Sequence, residues 1–287
     1  MGKAKIGVQM MMLKGKVEEL GVYETMRKIN ELGFHAVEVS QIPMTAENVA
    51  ELKRASQDFD IEIAALSAAL EPMLPGMAGE TLTNDFEKII NDCKALECHF
   101  LRIGMLPFTT IGDKDKILDF VKKAEEAAGR LAEDGIELYY HNHHIEFQKY
   151  DGEYLLDIIK NNTRKIGFEL DVHWIQRGGL DPVEVINKFE GRIALIHLKD
   201  YRIGQMDMSC FENDFDQAKF FQAFNNVIQF AELGEGSLDL EAIIEAGLKS
   251  GSQYFLIEQD DVYGRDPFDC LETSAEHLRS LGYSDWF

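Results

Sequence analysis

The chain has 287 residues, 45% of them hydrophobic, which is enough for one large core. Its 29 Lys+Arg against 51 Asp+Glu give a formal charge of -22, which opposes both a nucleic-acid backbone and an anionic membrane face. Cys93, Cys98, Cys210 and Cys270 are too few and too scattered for a disulfide framework. No signal-peptide pattern precedes Ile6, and no run approaches the roughly 18 to 20 apolar residues of a membrane span, so a cytoplasmic protein with reduced thiols is expected.

Short apolar runs suited to strands occur at Lys5 to Gln9, Ala36 to Ser40, Ile61 to Ser67, His99 to Ile103, Ile136 to His141, Ile166 to Asp171, Ile193 to His197 and Tyr254 to Glu258. Segments between them carry apolar residues three or four apart, such as Val49, Leu52, Ala55 and Phe59, then Phe86, Ile89, Ile90, Cys93 and Leu96, then Ile117, Val121, Ala124 and Leu131. Each such segment presents one apolar stripe to a sheet, as an amphipathic helix does. Asp181-Pro182 and Asp266-Pro267 read as an N-cap followed by Pro at the first helical position, and Gly33, Gly135 and Gly247 as helix C-termini. The alternation predicts an α/β chain, a (β/α)8 TIM barrel forming a single domain over residues 1–287. An open doubly wound sheet shares the same periodicity. One connection breaks the rhythm: Tyr201 to Leu238, between the seventh and eighth strands, carries Phe211, Phe215, Phe220, Phe221, Phe224 and Phe230. Asp216 to Asn226 within it has helical spacing, and the expectation is an aromatic helix that covers the barrel mouth or forms a subunit contact.

Polar residues stand where such a barrel builds its site, at the C-terminal ends of the strands. Asp171, His197 and Glu258 each close an apolar run, and Glu258 is the most telling, because a carboxylate ending a buried strand is costly unless it is paired or metal-bound. After the fifth strand come His141, Asn142, His143, His144 and Glu146, with His141 and His143 on one side by alternation. These residues are the candidate ligands and bases. Lys199 and Arg102 are cations for substrate oxygens, with Asp200 placed to orient Lys199, and His173 and Trp174 follow Asp171 directly, the indole being a flat wall of the kind sugars stack on. Gly234-Glu235-Gly236 hints at a phosphate loop but lacks any surrounding Gly-x-Gly-x-x-Gly or Walker pattern.

At these residues the chain resembles the sugar phosphate isomerase/epimerase family, the xylose isomerase-like barrels. The motifs are Tyr140-His141-Asn142-His143 with Glu146-Phe147, Glu169 to Trp174, Gly191-Arg192-Ile193 running into His197 to Asp200, Gly234-Glu235-Gly236, and Ile257 to Asp260. The resemblance implies one divalent ion (Mn, Mg, Zn or Co) held by a Glu, an Asp, a His and a Glu after the fifth to eighth strands. Asp171, His197 and Glu258 take the last three positions. The first departs from the pattern, with His141 at the strand end and Glu146 a few residues on. Glu146 is favoured there because hard ions prefer carboxylates, and His141 is the alternative.

The expected function is a divalent-metal-dependent sugar isomerase or epimerase. It would abstract a proton next to a metal-bound carbonyl to form an enediolate, with Glu258 or His143 as the base. The alternative on the same site is a keto-sugar or keto-inositol dehydratase or lyase. An endonuclease of the kind that acts on damaged DNA conflicts with the acidic charge, and a noncatalytic sugar-binding barrel requires an empty metal site. A small sugar or keto-sugar is the expected partner, with neither nucleic acid nor membrane, and homo-oligomerisation is left open.

Overall fold

The computed structural model describes residues 4–212 and 214–287. Eight parallel strands close into a barrel: β1 Lys5–Gln9, β2 Ala36–Val39, β3 Glu62–Ser67, β4 Phe100–Ile103, β5 Glu137–His141, β6 Gly167–Asp171, β7 Ile193–Leu198 and β8 Tyr254–Ile257. Each pairs with its successor, and β8 pairs with β1 through Lys5↔Tyr254 to Val8↔Ile257. The ends agree with the sequence reading to within one residue. β7 runs on to Leu198, and Glu258 lies just past β8, its N–H still donating to Leu198 O at 3.1 Å.

The helices form where the apolar stripes predict them, and side chains fasten their first turns. Thr45 caps Ala46–Phe59, Asp113 caps Lys114–Glu133, Asp181 caps Pro182–Lys188 and Asp266 caps Pro267–Ser280, each accepting from a backbone N–H. Their buried faces, for example Ile117, Val121, Ala124 and Leu131, pack on the outside of the barrel. Each fully buried Leu or Ile contributes about 1.5–3 kcal/mol. Gly33 and Gly135 do end helices with positive φ. Gly247 does not: it lies inside Leu240–Ser250, and the left-handed residue is Gly251. A Cβ at Gly247 would stand 2.6 Å from Ile196 Cδ1 and 2.7 Å from Phe255 Cε1, so this glycine is a close-packing position of helix on barrel.

Inside the barrel, an aromatic and aliphatic plug of Phe100, Tyr139, Tyr254, Leu195 and Leu256 fills the space toward the N-terminal ends of the strands. The buried charged side chains of the strands and their ends, among them Glu38, Arg102, Asp171, His197 and Lys199, gather toward the opposite, C-terminal end. All four cysteines are buried free thiols. No helix among the described residues is long and apolar enough to cross a membrane.

The connection between β7 and β8 is an antiparallel ribbon, Asp200–Ile203 with Ile228–Ala231, that encloses the helix Gln217–Asn225 capped by Asp216. Asn213, within that run, lies outside the described residues. Phe230 folds inward and stacks on His173 at 4.4 Å, whereas Phe211, Phe215, Phe221 and Phe224 are exposed.

Candidate active site

Four side chains from four neighbouring strand ends meet at the C-terminal end of the barrel: His141, Asp171, His197 and Glu258. His197 Nδ1 lies 3.1 Å from His141 Nε2, 2.9 Å from Glu258 Oε2 and 3.8 Å from Asp171 Oδ2, and His141 Nε2 lies 3.6 Å from Asp171 Oδ2. Four ligands at about 2.1 Å from an ion in a tetrahedron are about 3.4 Å apart, a separation these distances bracket. The donors also remain available. Asp171 uses Oδ1 to cap the helix Val172–Arg177, accepting from Trp174 N at 2.9 Å, which leaves Oδ2 for the quartet. Glu258 accepts from Gln9 Nε2 at 2.8 Å through Oε1, which leaves Oε2. Asp171 Oδ2 and Glu258 Oε2 are buried and accept no well-aligned hydrogen bond, although the Lys199 ammonium lies 3.0 and 2.8 Å from them. Two imidazoles and two under-satisfied carboxylate oxygens fit a divalent ion.

Backbone pairing places these groups. Asn142, which alternation sends to the side opposite His141 and His143, is fully buried. Its Oδ1 accepts from Asp171 N at 3.0 Å and its Nδ2 donates to Asp171 O at 3.4 Å, tying the end of β5 to the end of β6.

A second buried charge layer lies behind the first. His197 Nε2 is 2.8 Å from Glu38 Oε2 and 3.2 Å from Glu169 Oε1. Arg102 Nε sits 2.5 Å from Glu38 Oε1 and 3.1 Å from Glu169 Oε2, and its Nη2 donates to Ser40 Oγ at 2.9 Å. The imidazole of His197 therefore joins the layers, Nδ1 on the quartet and Nε2 on a carboxylate pair, an arrangement that orients a histidine ligand. Burial works against the charge on Glu38, but Arg102 and His197 outweigh it and hold the carboxyl well below its usual range. Burial and the neighbouring Glu38 push Glu169 up to about 8. Burial also opposes the charge on His197, yet Glu169, Glu38 and Glu258 hold it protonated in the metal-free protein.

Lys199 is almost wholly buried, and its ammonium bridges Asp171, Glu258 and, at 2.8 Å, Asp260. These acids outweigh burial and keep it charged. Burial raises Asp260 to about 6 against the pull of Lys199.

The quartet opens on a cavity of about 750 Å3, into which His141, His143, Lys199, Glu258, Asp260 and Arg102 project. His143 is unprotonated, burial driving it down to about 2, and its buried Nδ1 has no partner. The structure changes several expectations. Glu146, favoured as the fourth ligand, is absent from the quartet: its carboxylate accepts from Tyr140 Oη and His143 N, both at 2.7 Å, and so fixes the turn that carries His143. Arg102 reaches the cavity, but its guanidinium is committed to Glu38, Glu169 and Ser40. His173 and Trp174 do not line the cavity. His173 Nδ1 lies 2.9 Å from Asp200 O with Phe230 on its face, and Trp174 backs His143, His144 and the Lys199 ammonium. No residue of the ribbon and helix after β7 lines the cavity either, so the aromatic helix does not cover it.

Asp200, expected to orient Lys199, turns the other way. Its carboxylate accepts from the N–H groups of Tyr201, Gly234, Gly236, Ser237 and Leu238 at 2.7–3.1 Å. The Gly-Glu-Gly motif is thus a cradle for the chain's own carboxylate. A Cβ at Gly236 would lie 2.1 Å from Asp200 Oδ1.

A family model described as xylose isomerase-like TIM barrel matches residues 26–281. An inosose dehydratase of Lacticaseibacillus casei is 27% identical over 183 residues, covering 61% of this chain and 59% of the relative. The match thus spans under two thirds of that relative's length. Among solved structures, a sugar phosphate isomerase/epimerase from Parabacteroides distasonis has a TM-score of 0.75 at 20% identity, covering 96% of this chain and 98% of that one. A 3-keto-D-glucoside 4-epimerase from E. coli has a TM-score of 0.66 at 16% identity, covering 97% and 100%. At these identities the two structures show a shared fold.

Proposed function

The chain belongs to the family of xylose isomerase-like TIM barrels, and on that premise we propose that it is a divalent-metal-dependent enzyme that removes a proton next to the carbonyl of a keto-sugar or keto-cyclitol. The observation that carries this is the His141, Asp171, His197 and Glu258 quartet at the floor of a sugar-sized or larger cavity. A divalent ion held there would supply Lewis acidity to the substrate carbonyl. Two imidazoles among four donors favour Mn, Co or Zn over Mg.

The protein's own groups supply the proton transfers. His143 lines the cavity and is held by the Glu146 turn, so it is placed to take the proton from carbon. Burial weakens it as a base, so the transfer would depend on the acidity that a metal-bound carbonyl would give that C–H. Asp260, raised by burial to about 6 and hydrogen-bonded to Lys199 at 2.8 Å on the same wall, suits the acid that protonates a departing hydroxyl. Loss of that proton and that hydroxyl forms a carbon–carbon double bond and releases one water, a dehydration.

Of the two outcomes raised by the sequence, we favour elimination over isomerisation or epimerisation. Inverting a centre needs a base on each side of the reacting carbon, and the carboxylate that the family pattern puts after β5 is missing here, because His141 holds that position and Glu146 is sealed beneath Tyr140. The relative named for inosose dehydration supports the same order. Epimerisation keeps a second place, with Glu258 and His143 both facing the cavity.

The test is a screen of inososes and keto-sugars with Mn-loaded protein, following product mass and stereochemistry together. Loss of one water, abolished by a chelator and reduced about 10²–10⁴-fold in His143→Ala, is expected. Unchanged mass with an inverted centre selects the epimerase reading. Turnover that survives both chelation and Glu258→Gln refutes the assignment.

A further inference from the structure

The walls of the cavity divide by chemistry. Its reactive side comes from the ends of β5, β7 and β8, and its opposite side from the segments after β1, β3 and β4, which present Met11, Met12, Met73, Met105 and Phe108. The polar side chains on that side are Lys14, Ser67 and, after β2, Ser40 and Gln41: Lys14 donates to Gln41 at 3.2 Å, Gln41 Nε2 approaches Met11 Sδ at 3.0 Å, and Ser40 Oγ accepts from Arg102 Nη2 at 2.9 Å. Phe108 N donates to Met73 O at 3.1 Å, so the two loops that carry the wall are fastened to each other. Phe108 is nonetheless 49% exposed, an aromatic face left open beside the cavity.

A single keto-sugar or cyclitol ring has about a dozen heavy atoms. Even at the ~30 Å3 per heavy atom of liquid water it would occupy only about half of this volume. Hydroxyls gain little from thioether and phenyl surfaces, whereas a planar or alkyl group packs well on both, methionine adapting its shape to the contact.

We propose that the substrate is larger than one sugar: a keto-sugar bearing an apolar aryl or alkyl substituent, as in a glycoside. The keto ring sits at the quartet and the substituent lies on the Met11, Met73 and Phe108 wall. This deepens the keto-sugar reading above and rests on it for the ring, while the apolar subsite rests on the cavity itself.

The test compares phenyl and methyl 3-keto-β-D-glucosides as substrates of the Mn-loaded enzyme, and binding of the unoxidised phenyl and methyl β-D-glucosides by calorimetry. The phenyl compounds are expected to exceed the methyl ones at least tenfold in kcat/KM and in affinity, and Phe108→Ala and Met73→Gln to narrow both ratios to below about threefold. Metal-dependent turnover with ratios near one overturns the subsite and leaves the proposed reaction standing. A Phe108-dependent phenyl preference in binding without turnover of any keto-sugar upholds the subsite and overturns the reaction. A ratio that neither substitution moves overturns the placement of the substituent.

Discussion

Replacing Lys199 by Met removes a buried cation that touches three carboxylates. The ammonium lies 3.0 Å from Asp171 and 2.8 Å from both Glu258 and Asp260. At an effective dielectric of ~20, each contact amounts to about 6 kcal/mol of gross attraction. Desolvation of the four groups offsets most of it, and Asp260, already raised to about 6, can take up a proton once the cation is gone. What remains is the loss characteristic of breaking a buried pair, about 3–5 kcal/mol. With an unfolding entropy of ~2.1 cal/mol/K per residue over 287 residues, this lowers Tm by roughly 5–8 °C. The contacted oxygens of Asp171 and Glu258 belong to the metal quartet, so Mn(II) should restore part of the lost charge balance and raise Tm more in Lys199→Met than in the wild type. Scanning calorimetry of both proteins with chelator and with excess Mn(II) measures the four values. Equal stability of the two in chelator would show that the carboxylates do not depend on Lys199, and a metal increment no larger in the variant would separate the lysine from the metal site.

Three further outcomes follow from neighbouring contacts. His141→Ala should lower Mn affinity by at least 10-fold, whereas Glu146→Gln should retain one bound ion per chain, as read by elemental analysis after dialysis; equal loss in both would return Glu146 to the ligand set. Burial raises Glu146 from 4.5 to about 7, so the folded state binds its proton more tightly than the unfolded one. Its contribution is fully present below about pH 4.5 and is lost as pH rises through about 7, a change of about 3 kcal/mol. Urea melts should therefore show wild-type stability falling between pH 5 and pH 8 by more than that of Glu146→Gln, and parallel curves would remove this carboxyl as the source. Asp200→Asn places an amide N–H₂ among five backbone donors and should destabilise by about 1–3 kcal/mol for each N–H left unpaired, detected as a lower urea midpoint. An unchanged midpoint would mean that the glycine cradle does not depend on the carboxylate.

The fold was legible because its signals are local. A run such as Ile193 to Leu198 is apolar throughout, as a strand covered on both faces must be, and a stripe such as Ile117, Val121, Ala124 and Leu131 needs only its own helix to show its face. Gly247 was misread for the same reason. A glycine near the end of a helical pattern reads as a C-cap, and only the packing of Ile196 and Phe255 against it, from strands on other parts of the chain, shows that it makes room inside the helix. The Gly234 and Gly236 pair repeats the lesson, since the anion they cradle is Asp200, 34 and 36 residues away.

The quartet was legible as far as each member ends its own apolar run. The choice between His141 and Glu146 was not, because it depends on the turn after β5. That turn sends the Glu146 carboxylate back onto its own backbone at His143 N and under Tyr140, a geometry that alternation along a strand cannot express. Glu38 did carry a sequence signal, the same one that marked Glu258: a carboxylate inside an apolar strand, here Ala36 to Val39. What the sequence could not supply was its partner. His197 is 159 residues further on, and the two meet only because β2 and β7 face each other across a closed barrel. Closure turns isolated polar residues on separate strands into one stacked system, in which Arg102 balances Glu38 and Glu169, His197 passes the constraint upward, and Lys199 answers Asp171 and Glu258. Each of these groups would be costly to bury alone, so a change at Glu38 should reach the quartet through the imidazole it orients, without Glu38 itself touching substrate.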